Sequence, residues 1–175
     1  MRSAGLRRRT EAGVVFRAVE EGDLAASFQI GYVTAFYDAG LYCPHTVSLS
    51  TAIPLAKYGS AELRAKYLGK LLKRDATVWQ GATWMTEAKG GSDLGAFVET
   101  VARPDGDRWR LTGEKFFTSN VGAELAVAAA RPEGAQAGIR GLELFLVPQR
   151  RDDGALNFKV RRLKDKIGTR SVPTG

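Results

Sequence analysis

The sequence predicts an α+β protein whose helical first part gives way, near residue 78, to short strands. Three observations carry this. Before residue 78 apolar residues recur at helical spacing. After it they alternate, or run in short blocks closed by proline. Turn signals divide the second half repeatedly. The expected units are a helical segment over 1–78 and a β-domain over 79–175. Several short strands joined by loops predict an antiparallel, barrel-like or sandwich arrangement.

The helices come first. In "DLAASFQIGYVTAFYDAG", Leu24, Phe28, Ile30, Val33 and Phe36 fall close to one helix face. Asp23 suits the N-cap and Gly40 the stop. "CPHTVSLSTAIPLAKYG" follows, with Pro44 in a first helical turn and Gly59 as terminator. Pro54 is expected to kink or split that helix. Ser60 caps the next, in which Leu63, Tyr67 and Leu71 recur every four residues. "FVETVARP" and "RWRLTGEKFFTSN" read as strands of a hairpin around Pro104–Asp107. "ELAVAAARP" and "LELFLVP" are apolar enough for buried strands, although alanine favours helix in the first. "ALNFKVRRL" alternates and reads as a further strand, while "RPEGAQAGIRG" reads as a mobile loop.

Composition narrows the function. The 175 residues are 44% hydrophobic and 26% charged, with a single cysteine, Cys43, so no disulfide can form within the chain. No apolar run is long enough to span a bilayer. The net charge of +7 gathers at Arg7-Arg8-Arg9, at Arg150-Arg151 and over Lys159–Lys166. Such clusters suit a solvated surface or a polyanion such as a nucleotide phosphate, and no nucleic-acid-binding motif accompanies them. His45 is the only histidine, so it reads as a packing residue, with no metal cluster around it. A G-x-S-x-G elbow, a Walker loop and a Rossmann fingerprint are all absent.

Two stretches remain. "WMTEAKGGSDLG" (84–95) places Thr86, two glycines and Ser92 at the end of a strand-like segment. Hydroxyls and exposed backbone N–H groups at that spacing suit a pyrophosphate or ring edge on β-structure. In "EKFFTSN" (114–120), a strand would put Phe117 and Ser119 on one face, an aromatic plate with a hydroxyl beside it. Phe116 and Phe117 as plain core residues are the competing reading.

"MTEAKGGSDLG", "LTGEKFFTSN" and "LKDKIGTRS", in this order, resemble the acyl-CoA dehydrogenases. Lys89-Gly90-Gly91 and Leu163–Gly168 are similar to the branch containing the alkylation-response protein AidB, as is "YCPHTVSLSTAIP". The resemblance runs from about Val14 onward. It implies part of an N-terminal helical domain followed by a middle β-domain, with the C-terminal helical domain absent. The family's catalytic base, a glutamate of that last domain, has no counterpart in this chain, so no catalytic residue is expected here.

The resemblance also implies FAD as cofactor. It assigns Met85, Thr86, Gly91, Ser92, Phe117, Thr118 and Ser119 to cofactor binding. Thr86 and the Met85 backbone would meet the pyrimidine edge of the flavin, and Ser119 its N5. Phe117 would lie against the ring face. Gly91 and Ser92 would border the pyrophosphate, with Ser92 also at the mouth of an acyl-CoA channel. The implied partners are an acyl-CoA substrate, an electron acceptor and further copies of the chain, in a cytoplasmic and not a membrane setting. The alternatives are a DNA-associated alkylation-response flavoprotein with little dehydrogenase activity, and a scaffold that binds no cofactor.

Overall fold

The computed structural model describes residues 12–175, and the Arg7-Arg8-Arg9 cluster lies outside the described residues. Helices α1 (Val14–Val19), α2 (Leu24–Tyr37) and α3 (Ala39–Tyr58) come first. A helical run, α4, follows: an α turn (Ala61–Leu63), a π segment (Arg64–Leu68) and another α turn (Gly69–Leu71). The side chains of Asp23 and Ser60 accept hydrogen bonds from Ala26 N and Leu63 N, so both expected N-caps are present. The stop of α2 is Asp38 rather than Gly40. The Asp38 carboxylate accepts from Gly40 N, which opens α3 at once.

Pro54 neither splits nor ends α3, and Pro44 lies inside the helix rather than at its start. Packing outweighs the missing backbone bonds here. Leu49, Ala52 and Leu55 are buried on the two sides of Pro54. The hydroxyls of Ser48 and Thr51 also bond the next strand, Ser48 accepting from Gly81 N and Thr51 donating to Ala82 O.

Helix α2 buries a different face from the one its apolar spacing suggested, and of the expected set only Ile30 packs against the core. Ser27, Gly31 and Thr34 are buried, whereas Phe28 is 56% and Phe36 78% exposed. Close approach explains this. Ser27 Oγ donates to Val14 O at 2.7 Å, and a Cβ on Gly31 would collide with the ring of Tyr42. At these two contacts only small residues fit, so Phe28, Val33 and Phe36 are left outside.

Strands β1 (Gly81–Trp84), β2 (Val101–Asp105), β3 (Arg108–Thr112), β4 (Leu125–Pro132) and β5 (Glu143–Pro148) form one open sheet. A short helix, α5 (Leu94–Phe97), separates β1 from β2. The α+β class is as expected, but the sheet is mixed and not purely antiparallel. β4 pairs in parallel with β1 and β2 and antiparallel with β5, while β2–β3 is the expected hairpin. Long connections from β1 and β2 to β4 make the parallel pairings possible.

The alanine-rich segment is β4, buried from Leu125 to Ala130. Leu125 joins Leu49, Ala52, Leu55 and Leu71 in the core beneath the helices. Ala126 and Ala128 join Ala82, Trp84, Val121 and Ala123 on the other side. A fully buried leucine contributes about 1.5–3 kcal/mol, so Leu71 and Leu125 tie the helical layer to the sheet. Residues 155–163 form no strand, only an isolated bridge between Arg150 and Leu156.

Candidate functional site

The chain leaves β1 at Trp84 and enters a loop carrying Met85, Thr86, Gly91 and Ser92 before α5. Asp93 caps α5 by accepting from Ala96 N. The two adjacent glycines serve different ends. A Cβ on Gly90 would lie 2.6 Å from Phe97 Cδ2 and closer still to Cβ and Cγ, so this glycine lets α5 pack against its own loop. Gly91 has no atom within 4 Å of such a Cβ and is exposed, as is Ser92.

The second stretch is not a strand beyond Thr112. Residues 113–120 form a loop in which Phe117 adopts a left-handed conformation (φ 64°), as does Asn120 (φ 55°). The expected sharing of a strand face by Phe117 and Ser119 is therefore corrected. A turn places them, and Ser119 N donates to Phe117 O at 3.1 Å. The reading of Phe116 and Phe117 as core residues also fails, since Phe117 is 51% and Phe116 37% exposed. Thr118 is buried; its N–H donates to Gly175 O and its carbonyl accepts from Gly175 N. Ser119 pairs with Thr174 in an antiparallel bridge. Lys164 lies over the Phe117 ring, 3.9 Å from its centroid.

The structure brings the two motif segments together. Phe116 N donates to Thr86 O at 2.9 Å, and Lys115 Nζ donates to Met85 O at 3.2 Å. Gly91 and Ser92 lie farther along the first loop and bond neither Met85–Thr86 nor Phe116–Ser119. Among the described residues, the hydroxyls of Thr86, Ser92 and Ser119 engage no side-chain hydrogen-bond partner. Uncommitted hydroxyls on two joined loops, beside a half-exposed aromatic ring, fit a flat polar ligand such as a flavin.

Sequence reasoning missed the group that joins these loops. Glu87, 6% exposed, accepts from Lys115 Nζ at 2.6 Å, from Thr100 Oγ1 at 2.5 Å, from Thr100 N at 3.1 Å and from Glu99 N at 2.7 Å. Burial raises the Glu87 pKa, but these donors outweigh it and hold the carboxyl below its ordinary range. Burial pulls the Lys115 ammonium below its ordinary range, with Glu87 acting in the opposite direction. The available signal was one charge of each sign inside the two motif segments, Glu87 in 84–95 and Lys115 in 114–120. No group of His, Cys, Asp and Glu suited to a metal occurs among the described residues, and none of their helices is long and apolar enough to cross a membrane.

Residues 82–175 match the family described as acyl-CoA dehydrogenase, middle domain. Acyl-CoA dehydrogenase family member 11 of Caenorhabditis elegans is 40% identical over 147 residues, 78% of this chain and 24% of that protein. The putative acyl-CoA dehydrogenase AidB of Escherichia coli is 31% identical over 147 residues, 77% of this chain and 26% of its own length. The chain thus spans about a quarter of these curated relatives, and AidB is one similar branch among several. The crystal structure of Caenorhabditis elegans ACDH-11 in complex with C11-CoA superposes with a TM-score of 0.77 at 33% identity, covering 97% of this chain and 31% of that one. PigA with FAD and proline superposes with a TM-score of 0.66 at 27% identity, over 78% of this chain and 34% of that one.

Proposed function

Because this chain belongs to the acyl-CoA dehydrogenase family, we propose that it is the FAD- and acyl-CoA-binding portion of an enzyme that desaturates an acyl thioester between its α and β carbons. The observation that carries the reading is the direct joining of the two motif loops, Phe116 N to Thr86 O and Lys115 Nζ to Met85 O. FAD, when bound, supplies the hydride acceptor. The chain's own residues bind and orient it. The hydroxyls of Thr86 and Ser119 donate to the ring edge, and the Phe117 ring covers a face. Thr118 is buried against Gly175 and anchors that loop. Gly91 and Ser92 offer open backbone and a hydroxyl to the phosphates, and Ser92 borders the acyl-CoA entry.

The complexes with C11-CoA and with FAD among similar structures support this reading. It carries with it a helical unit over 1–78 and a β-domain over 79–175. It also carries an external electron acceptor, homo-oligomeric assembly of the whole protein and a cytoplasmic setting. No residue of these 175 is assigned as catalytic base. Glu87 is saturated by its four donors.

Titration of the apoprotein with FAD, followed by flavin fluorescence and by the visible spectrum, tests the reading. Saturable binding that weakens in Thr86→Ala and Ser119→Ala is expected. Absence of binding by the intact protein refutes it.

A further inference from the structure

We propose that the buried Glu87–Lys115 pair is a positioning device that fixes the Met85–Thr86 loop against the Phe116–Ser119 loop, and so sets the geometry these loops present to a flavin ring; this rests on the flavin reading above. Lys115 carries the coupling. Its one ammonium donates both to the Glu87 carboxylate and to the carbonyl of Met85. Glu87 extends the coupling to the start of β2 through Glu99 N, Thr100 N and Thr100 Oγ1. Three separate stretches of chain therefore meet on two side chains, both nearly buried (6% and 11% exposed).

Stability alone does not account for such a pair. Ions taken out of water lose hydration that their mutual attraction only partly restores, and apolar residues of similar volume often serve stability as well or better. Apolar residues would not fix an angle. A carboxylate with four directed donors does, because each donor has its own required direction. A contrast lies in the same loop. Lys89 and Glu99 approach to 2.7 Å, but their side chains are 71% and 60% exposed, where water screens them and either can swing away. Burial gives the Glu87–Lys115 pair the rigidity that the exposed pair lacks. The pair acts through Met85–Thr86 and Phe116, so it is a positioning and not a catalytic element.

The test compares Glu87→Gln, Lys115→Arg and the exposed-pair control Glu99→Gln in the intact protein. Folding is checked by circular dichroism, and FAD binding by titration and by the visible absorption of the bound flavin. Glu87→Gln is expected to weaken FAD binding about tenfold, by misaligning hydrogen bonds to the ring, and to shift the flavin absorption bands. Lys115→Arg keeps the charge but changes the donor geometry, so a smaller weakening with the same spectral shift is expected. Glu99→Gln should match wild type in both measurements. If both variants of the buried pair fold and bind FAD with wild-type affinity and spectrum, the positioning role is overturned while the flavin reading stands. If neither folds, the pair is a stability element and the proposal fails. If wild type itself binds no FAD, the flavin reading falls and takes this role with it.

Discussion

Gly90 and Gly91 are adjacent, yet replacing each with alanine should give opposite results. An alanine methyl at position 90 would sit 2.6 Å from Phe97 Cδ2 and nearer still to two other atoms of that side chain, far inside van der Waals contact. Phe97 closes α5 and is 42% exposed, so it can move, but only by giving up its seat on the loop. Overpacking of this kind costs about 1–3 kcal/mol. For a chain of 175 residues that corresponds to a fall in Tm of roughly 2–12 °C, at about 2–4 °C per kcal/mol. At position 91 the methyl meets nothing within 4 Å, so Gly91→Ala should leave stability within about 0.5 kcal/mol of wild type. FAD affinity should fall in Gly91→Ala, because the methyl occupies the space proposed for the phosphates. Thermal unfolding by circular dichroism and FAD titration separate the two effects. Equal melting temperatures for the two variants, or a larger loss at position 91, would refute the reasoning.

Three further outcomes are expected. Ser119→Ala and Thr86→Ala should each weaken FAD binding by about 0.5–1.5 kcal/mol, the worth of one hydrogen bond, with little change in Tm; unchanged titration curves would remove these hydroxyls from the site. The Glu87 carboxyl is held below its ordinary value of 4.5, so the unfolded chain takes up a proton there first as pH falls. The stability it contributes is complete above that value and is lost as pH drops through the depressed folded value. Urea unfolding from pH 7 downward should therefore show a steeper loss of stability in wild type than in Glu87→Gln; parallel curves would contradict it. Residues 1–175 alone are expected not to reduce an electron acceptor with any acyl-CoA, since the proposed function assigns none of them as general base and Glu87 is held by four donors; measurable turnover would overturn that.

What the sequence made legible was local. Asp23 and Ser60 cap helices as their types dictate, and Gly106, at φ 66°, turns the β2–β3 hairpin where a glycine was needed. The motif residues themselves were also legible, and the structure joins Met85–Thr86 to Phe116 directly. What was not legible depended on neighbours far along the chain. Spacing marks an apolar face of α2 but not whether a partner helix comes too close for large side chains, as Tyr42 does at Gly31. Propensity could not show that Ser48 and Thr51 would hold α3 to β1 in the turns before Pro54. The β-forming residues of "KFFTSN" suggested a strand, but hydrogen bonds of Thr118 and Val121 to the 173–175 segment fold it into a turn. The Glu87–Lys115 pair spans 28 residues, and nothing local marks either charge as buried.

The outward aromatic face of α2 has a practical consequence for solution work. Phe28, Tyr32, Val33, Phe36 and Tyr37 are all more than half exposed in the folded chain. A contiguous apolar surface of this kind binds hydrophobic dyes. Fluorescence enhancement of such a dye is a usual sign of a molten globule, which has lost its packing but kept its secondary structure. With this chain, dye binding should be strong while the near-ultraviolet circular dichroism of Trp79 and Trp84, which pack into the two cores, still reports a packed interior. Dye fluorescence alone would then misreport a native sample as partly unfolded, and the tryptophan signal is the measure of its integrity.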